Sequence, residues 1–151
     1  MQALSLPSFD LKIRKRPEGG HEIFDILRNR YVALTPEEWV RQHFVHYLTE
    51  HLHYPKALMA NEVGITLNGM TRRCDTVLYR RDTLHPHIIM EYKAPHIPIT
   101  QQVFEQIYAY NLVLRADILI VSNGLQHIAC RIDYETQKVH FYEEVPDFLT
   151  L

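Results

Sequence analysis

Cysteine is scarce: Cys74 and Cys130 are the only two in 151 residues, too few for a disulfide framework. With no secretory leader pattern at the N-terminus they read as free thiols, and a cytoplasmic location is the expectation. No apolar run approaches the roughly 20 residues of a membrane span, so no membrane partner is expected. An excess of one charge sign is missing too. A net charge of −2 argues against a protein that coats nucleic acid nonspecifically, yet it leaves room for an enzyme with local basic contacts. There is no HExxH and no paired CxxC, so His43, His46, His51 and His53 read as helix-surface or packing residues rather than a zinc site, as do His85 and His87 around Pro86. Repeats and low-complexity segments are lacking. What is present, 46% apolar and 23% charged residues, is the make-up of an ordinary globular chain. It fits a single domain over 1–151, with its core at about 23–142, a short N-terminal arm and a C-terminal tail.

Taken in order, Leu6–Asp10 has the pattern of a short strand, and Lys12-Ile13-Arg14-Lys15-Arg16 is a basic run, either a solvated arm or a phosphate contact. Ile23–Ile26 and Tyr31–Leu34 form a small hairpin around Arg28-Asn29-Arg30. Thr35-Pro36-Glu37-Glu38 starts a helix: Thr35 caps, Pro36 takes the first turn, and Glu38 completes a capping box. That helix runs to about His53, with Val40, Phe44, Tyr47, Leu48 and His51 as its buried stripe. Glu37 and Arg41 lie beside the stripe and are placed to face a site from the helix start; the acids equally serve the helix dipole. Leu58–Leu67 is the first core strand, turning at Asn68-Gly69. Its Glu62 is either a supporting ligand or an edge charge. Thr100 caps a second helix over Gln101–Leu114, with a core face of Val103, Ile107, Tyr110 or Asn111, and Leu114. Gln106 and Tyr110, at i,i+4, stand one above the other. Asp117–Val121 is an apolar, β-branched run suited to a strand covered on both faces. Leu125–Ile132 returns, and Lys138–Tyr142 pairs as a further strand. The α-β-β-β-α-β-β order predicts an α/β fold: a mixed sheet with a helix on each face.

The chemistry concentrates in Arg72–Pro95, RRCDTVLYRRDTLHPHIIMEYKAP. Two strands flank a polar turn, with Asp75 on the first and Glu91-Tyr92-Lys93 closing the second. Period-two alternation sends Glu91 and Lys93 to one face and Tyr92 to the other. A turn centred near Thr83 puts Asp75 across from Glu91 and Arg73 across from Lys93, whereas a one-residue slip sends Asp75 to the opposite face. Two carboxylates on one patch suit Mg2+ (or Mn2+), with the Tyr92 backbone carbonyl as a further ligand. Lys93 beside them suits orienting a water or stabilising developing negative charge. The competing reading is a solvated ion pair on an edge hairpin, but the apolar run Ile88-Ile89-Met90 makes two charges at its end costly unless they are paired or ligated.

These residues resemble the PD-(D/E)xK nuclease superfamily, in particular the N-terminal nuclease domain of type I restriction enzyme R subunits. Asp75 and Glu91-Tyr92-Lys93 match the metal and catalytic motif, with Cys74-Asp75 in place of the usual Pro-Asp. Gln106–Tyr110 matches the QxxxY helix, and Pro36–Gln42, Glu62, Arg73 and Ser122-Asn123-Gly124 also look like that domain. The likeness spans about Ile23 to Tyr142. It implies a restriction-endonuclease-like fold and Mg2+-dependent phosphodiester hydrolysis of DNA. Asp75 and Glu91 would be the metal ligands, Lys93 would serve the water, and Gln106, Tyr110 and Arg73 would support the substrate or the lysine. Glu38 and Glu62 are weaker candidates. No GxxxxGK[ST] loop occurs, so any translocation would need a motor or specificity subunit as partner. A sheet-edge homodimer is a further possibility, compatible with a nuclease or a binding module, and double-strand cutting would favour its two sites. A non-catalytic module that binds nucleic acid or protein on the same fold is the alternative.

Overall fold

A computed structural model describes residues 1–151. Three short strands come first: β1 (Ile13–Lys15), β2 (His21–Asp25) and β3 (Arg30–Ala33), a small antiparallel sheet in that order. Then follow helix α1 (Pro36–His51), strands β4 (Met59–Leu67), β5 (Met70–Tyr79) and β6 (Pro86–Tyr92), helix α2 (Gln101–Leu114), and strands β7 (Ile118–Ser122), β8 (His127–Asp133) and β9 (Lys138–Phe141). The main sheet runs β4-β5-β6-β7-β8-β9; β6 and β7 are parallel and every other neighbour is antiparallel. This is the expected mixed sheet. The crossover through α2 is what makes one pair parallel, because parallel neighbours need a long connection.

Two apolar layers sandwich the sheet. Val40, Phe44 and Leu48 of α1 pack on Leu78, Ile88, Met90, Tyr92, Ile118 and Ile120. On the other face, Ile107 and Leu114 of α2 pack on Val77, Ile89, Leu119 and Val121. All five β7 residues are buried, as a strand covered on both sides requires. Asn111 rather than Tyr110 completes the buried face of α2; Tyr110 is 51% exposed. No helix is long and apolar enough to cross a membrane.

Two expectations need correction. Leu6–Asp10 forms no strand. Pro7 has no N–H to give a ladder, and the arm is held otherwise: the Trp39 indole N–H donates to the Gln2 carbonyl, Ser5 N–H donates to the Gly124 carbonyl, and Phe9 stacks on His46. The short strand lies instead within the basic run, at Ile13–Lys15. His51 is exposed, because the helix ends there and Leu52 closes it. His43 and His46, by contrast, are buried, since the arm covers the side of α1 that a bare amphipathic helix would show to water.

Asp25, fully buried at the end of β2, ties the small sheet to the large one. Its carboxylate accepts from Asn61 on β4, from the Leu27 and Arg28 backbone N–H groups and from the Arg28 side chain. Burial pushes the carboxyl up, but these hydrogen bonds outweigh it and hold the acid below the ordinary aspartate value. A depressed carboxyl contributes stability above its unfolded value of about 4 and loses it as pH falls through the folded value. Asp25→Asn is therefore expected to be less stable by roughly 1–3 kcal/mol at neutral pH. In urea titrations the gap to wild type should narrow steadily from about pH 5 downward. A gap that stays constant across that range would show that the carboxylate charge contributes nothing.

Candidate active site

The β5–β6 register pairs Val77 with Ile89 and Thr76 with Met90. Carried one step further, it sets Asp75 opposite Glu91, as a turn centred near Thr83 requires. Glu91 shares the α2 face with Ile89, while Tyr92 turns its ring to the α1 side and donates its hydroxyl to Thr76 Oγ1 at 3.0 Å. The Tyr92 backbone N–H donates to Asp75 Oδ2 at 2.8 Å, so the aspartate side chain takes a main-chain donor at the mouth of the hairpin. Asp75, Glu91 and Lys93 all line one cavity of about 330 Å3, together with Glu37 from α1, Arg72 and Arg73 from β5, and Tyr110 and Asn111 from α2. Its floor is apolar: Ile89, Ile107, Leu114 and Leu119.

Strict alternation fails at Asp75. Cys74 and Val77 both pack beneath α2, three residues apart, so one position is skipped between them. On the neighbouring strand Glu62 sits at φ 56, and the regular pairing passes from Asn61↔Thr76 to Val63↔Cys74 without it. Alternation from Val77 already places Asp75 on the Glu91 face; the interruption keeps Cys74 on that face too and brings Arg72, rather than Arg73, under α2. There the Arg72 guanidinium lies 4.3 Å from the Tyr110 ring centroid.

Arg41 fixes the interruption from behind. Its guanidinium donates to the Asp75 carbonyl at 2.9 Å, to Glu62 Oε1 at 2.6 Å and to Glu38 Oε2 at 3.0 Å. Glu38 also accepts from Arg28 at 2.7 Å and from Gln42 at 2.9 Å, and Glu62 from Arg73 at 2.7 Å. Glu38 and Glu62 thus belong to an ion-pair network that braces Asp75, and neither lines the cavity. The Glu38 backbone N–H does cap onto Thr35, but its side chain goes to the arginines instead of closing the capping box. Gln106 is exposed and does not line the cavity either, so the amide and phenol of the QxxxY pair diverge: Tyr110 reaches the site and Gln106 faces solvent. Of the residues at the cavity, Arg72 escaped the sequence reading. The only signal for it was its place two residues before Cys74, usable once the skipped position is known.

The electrostatics centre on Glu91. Burial, and then the neighbouring Asp75 charge, hold its carboxyl well above the ordinary glutamate range, with Lys93 opposing. Two half-buried acids this close resist double ionisation unless a cation joins them. That is the demand a divalent ion meets, and a pair of carboxylates suits Mg2+, which keeps several waters. No group of three or more His, Cys, Asp or Glu side chains converges to hold a metal; of the acids that line the cavity, Asp75 and Glu91 are the pair in direct interaction.

The family model described as the type I restriction enzyme R protein N terminus (HSDR_N) matches residues 36–146. Among solved structures, a fragment assigned as an HsdR subunit of a type I restriction enzyme from Vibrio vulnificus YJ016 is similar, with a TM-score of 0.52 and 19% identity. The match covers 78% of this chain and 25% of that one, so this chain spans about a quarter of its length. No curated protein matches.

Proposed function

This chain belongs to the family of type I restriction enzyme R protein N-terminal regions, and from that premise we propose that it is a PD-(D/E)xK-type, Mg2+- or Mn2+-dependent nuclease that hydrolyses phosphodiesters of DNA within a restriction system. The observation that carries the reading is the convergence of Asp75, Glu91 and Lys93 on one cavity, with a glutamate whose carboxyl is raised by burial and by the neighbouring Asp75. Asp75, Glu91 and the Tyr92 carbonyl would hold the ion. Bound there, a divalent ion acidifies a coordinated water and offsets charge on a phosphoryl oxygen.

The chain's own residues do the rest. Lys93 lines the cavity near enough to Glu91 to oppose the rise of its carboxyl, and would orient a water or stabilise the negative charge that builds as the phosphate is attacked. Arg41 holds the Asp75 backbone still, so the carboxylate is set before substrate arrives. The apolar floor limits the water around these charges and strengthens their interactions. A motor or specificity subunit would supply translocation or site choice, and a second copy of the chain would serve double-strand cutting.

The test is direct. Purified protein is incubated with linear duplex, nicked and single-stranded DNA in Mg2+ and in Mn2+, with Asp75→Ala alongside. Cleavage by wild type alone supports the proposal; DNA left intact under every condition removes it. A second reading, a non-catalytic binding module, is favoured by the sparse donor set and the acidic net charge. Calorimetric Mn2+ titration separates the two. The nuclease binds Mn2+ and loses it in Asp75→Ala and Glu91→Ala, whereas the module gives no saturable heat.

A further inference from the structure

Three cationic side chains line the cavity, and their surroundings differ. Arg73 is engaged by Glu62 at 2.7 Å, and Lys93 stands against Glu91. Arg72 has no acidic partner. Its guanidinium sits over the Tyr110 ring, with its central carbon 4.3 Å from the ring centroid, and its Nε is buried with no hydrogen-bond partner at all. Stacking satisfies the face of a guanidinium but none of its in-plane N–H donors, and a buried donor left without an acceptor is rare in folded proteins. The missing group is an acceptor in the plane of the fork. Oxygen pairs on a phosphate fit that plane, which is why arginine is favoured for phosphate recognition. Tyr110 is half-exposed, so the Arg72–Tyr110 pair reaches solvent where it lines the cavity.

We infer that Arg72, held on the Tyr110 ring, is a phosphate-binding residue that grips the DNA backbone beside the Asp75–Glu91–Lys93 set. The inference rests on the reading of this cavity as a phosphodiester site. It gives Tyr110 a task distinct from steadying Lys93: it positions the arginine. The rival fate for the Arg72 donor is internal. Asn111 Oδ1 is buried, its residue lines the same cavity, and it also has no partner, which makes it the acceptor an internal bond would use.

Binding of fluorescein-labelled DNA of about 20 nucleotides, single-stranded and duplex, is followed by anisotropy in EDTA between about 50 and 200 mM salt. Arg72→Gln is expected to bind about tenfold more weakly and to flatten the dependence of log K on log salt by about one unit, the signature of one lost phosphate contact. Arg72→Lys should keep the salt slope while losing affinity, since it retains charge but not the fork. Tyr110→Leu should weaken binding and Tyr110→Phe should not. Arg80→Gln, an arginine paired with Asp117 beyond the far end of β5, is the control and should leave binding unchanged. Wild-type affinity and slope in Arg72→Gln overturn the inference. So does a lowered melting temperature with an unchanged slope, which is what an Arg72–Asn111 bond predicts, and so does a wild type that binds neither probe. Because metal and turnover are excluded, the outcome is separable from the nuclease reading. A chain that binds through Arg72 yet never cuts removes only the nuclease, and a chain that cuts while Arg72→Gln binds normally removes only the clamp.

Discussion

Glu91→Gln should melt at a higher temperature than wild type in EDTA while cutting DNA at least roughly a hundredfold more slowly. The two effects share a cause. Burial, and then the neighbouring Asp75 charge, disfavour an ionised Glu91, so in the absence of a cation folding bears the cost of forcing a proton onto the group that the proposed chemistry needs. Replacing the glutamate with its neutral isostere removes that cost and keeps the shape. The gain should lie near the upper end of what a single stabilising change delivers, about 1–2 kcal/mol. Adding Mn2+ should invert the order: wild type gains stability by binding the ion, and the variant does not. Lys93→Met completes the comparison, losing cleavage while keeping Mn2+ binding, because an ammonium is no ligand. Differential scanning fluorimetry with and without Mn2+, beside a cleavage time course, reads all of this. A Glu91→Gln protein less stable than wild type in EDTA would mean that the carboxylates do not oppose one another, and the metal-site reading would lose its physical basis.

Arg41→Met is expected to cost roughly 3 kcal/mol of stability, because it strands Glu38 and Glu62 without their shared cation and releases the Asp75 carbonyl. For a chain of this size that corresponds to a fall of roughly 6–12 °C in melting temperature. Cleavage should fall as well, although Arg41 does not line the cavity. Arg41→Lys, with the charge but not the three-way fork, should be intermediate. The double variant Arg41→Met/Glu38→Gln should lose less than the sum of the two single variants, because the part of the Glu38 charge that Arg41 offsets is gone, a non-additivity expected of groups in direct contact. Additive losses in that cycle would show that the Arg41–Glu38 contact carries no energy of its own.

Much of this was legible from local pattern. Thr35-Pro36 and Thr100 mark helix starts because capping is short-range chemistry, and Asn68-Gly69 marks its turn because Asn68 and Gly69 both adopt positive φ. The β6 and β7 strands announced themselves as apolar runs, and the turn near Thr83 specified the hairpin register that brings Asp75 and Glu91 together. Those features depend on residues close in the chain, so periodicity and turn chemistry determine them. The remainder was settled only when distant segments met. Glu38 faces two arginines because Arg28 of the small sheet folds onto the start of α1, and no local rule names that partner. The buried histidines of α1 follow from an N-terminal arm that sequence pattern alone leaves unplaced. The skipped position at Asp75 arises from a left-handed Glu62 on the adjoining strand, stabilised by Arg41 from a helix. It reverses which side of β5 the neighbouring arginines occupy, since alternation along a strand holds only while its pairing stays regular, and that regularity is a property of the sheet.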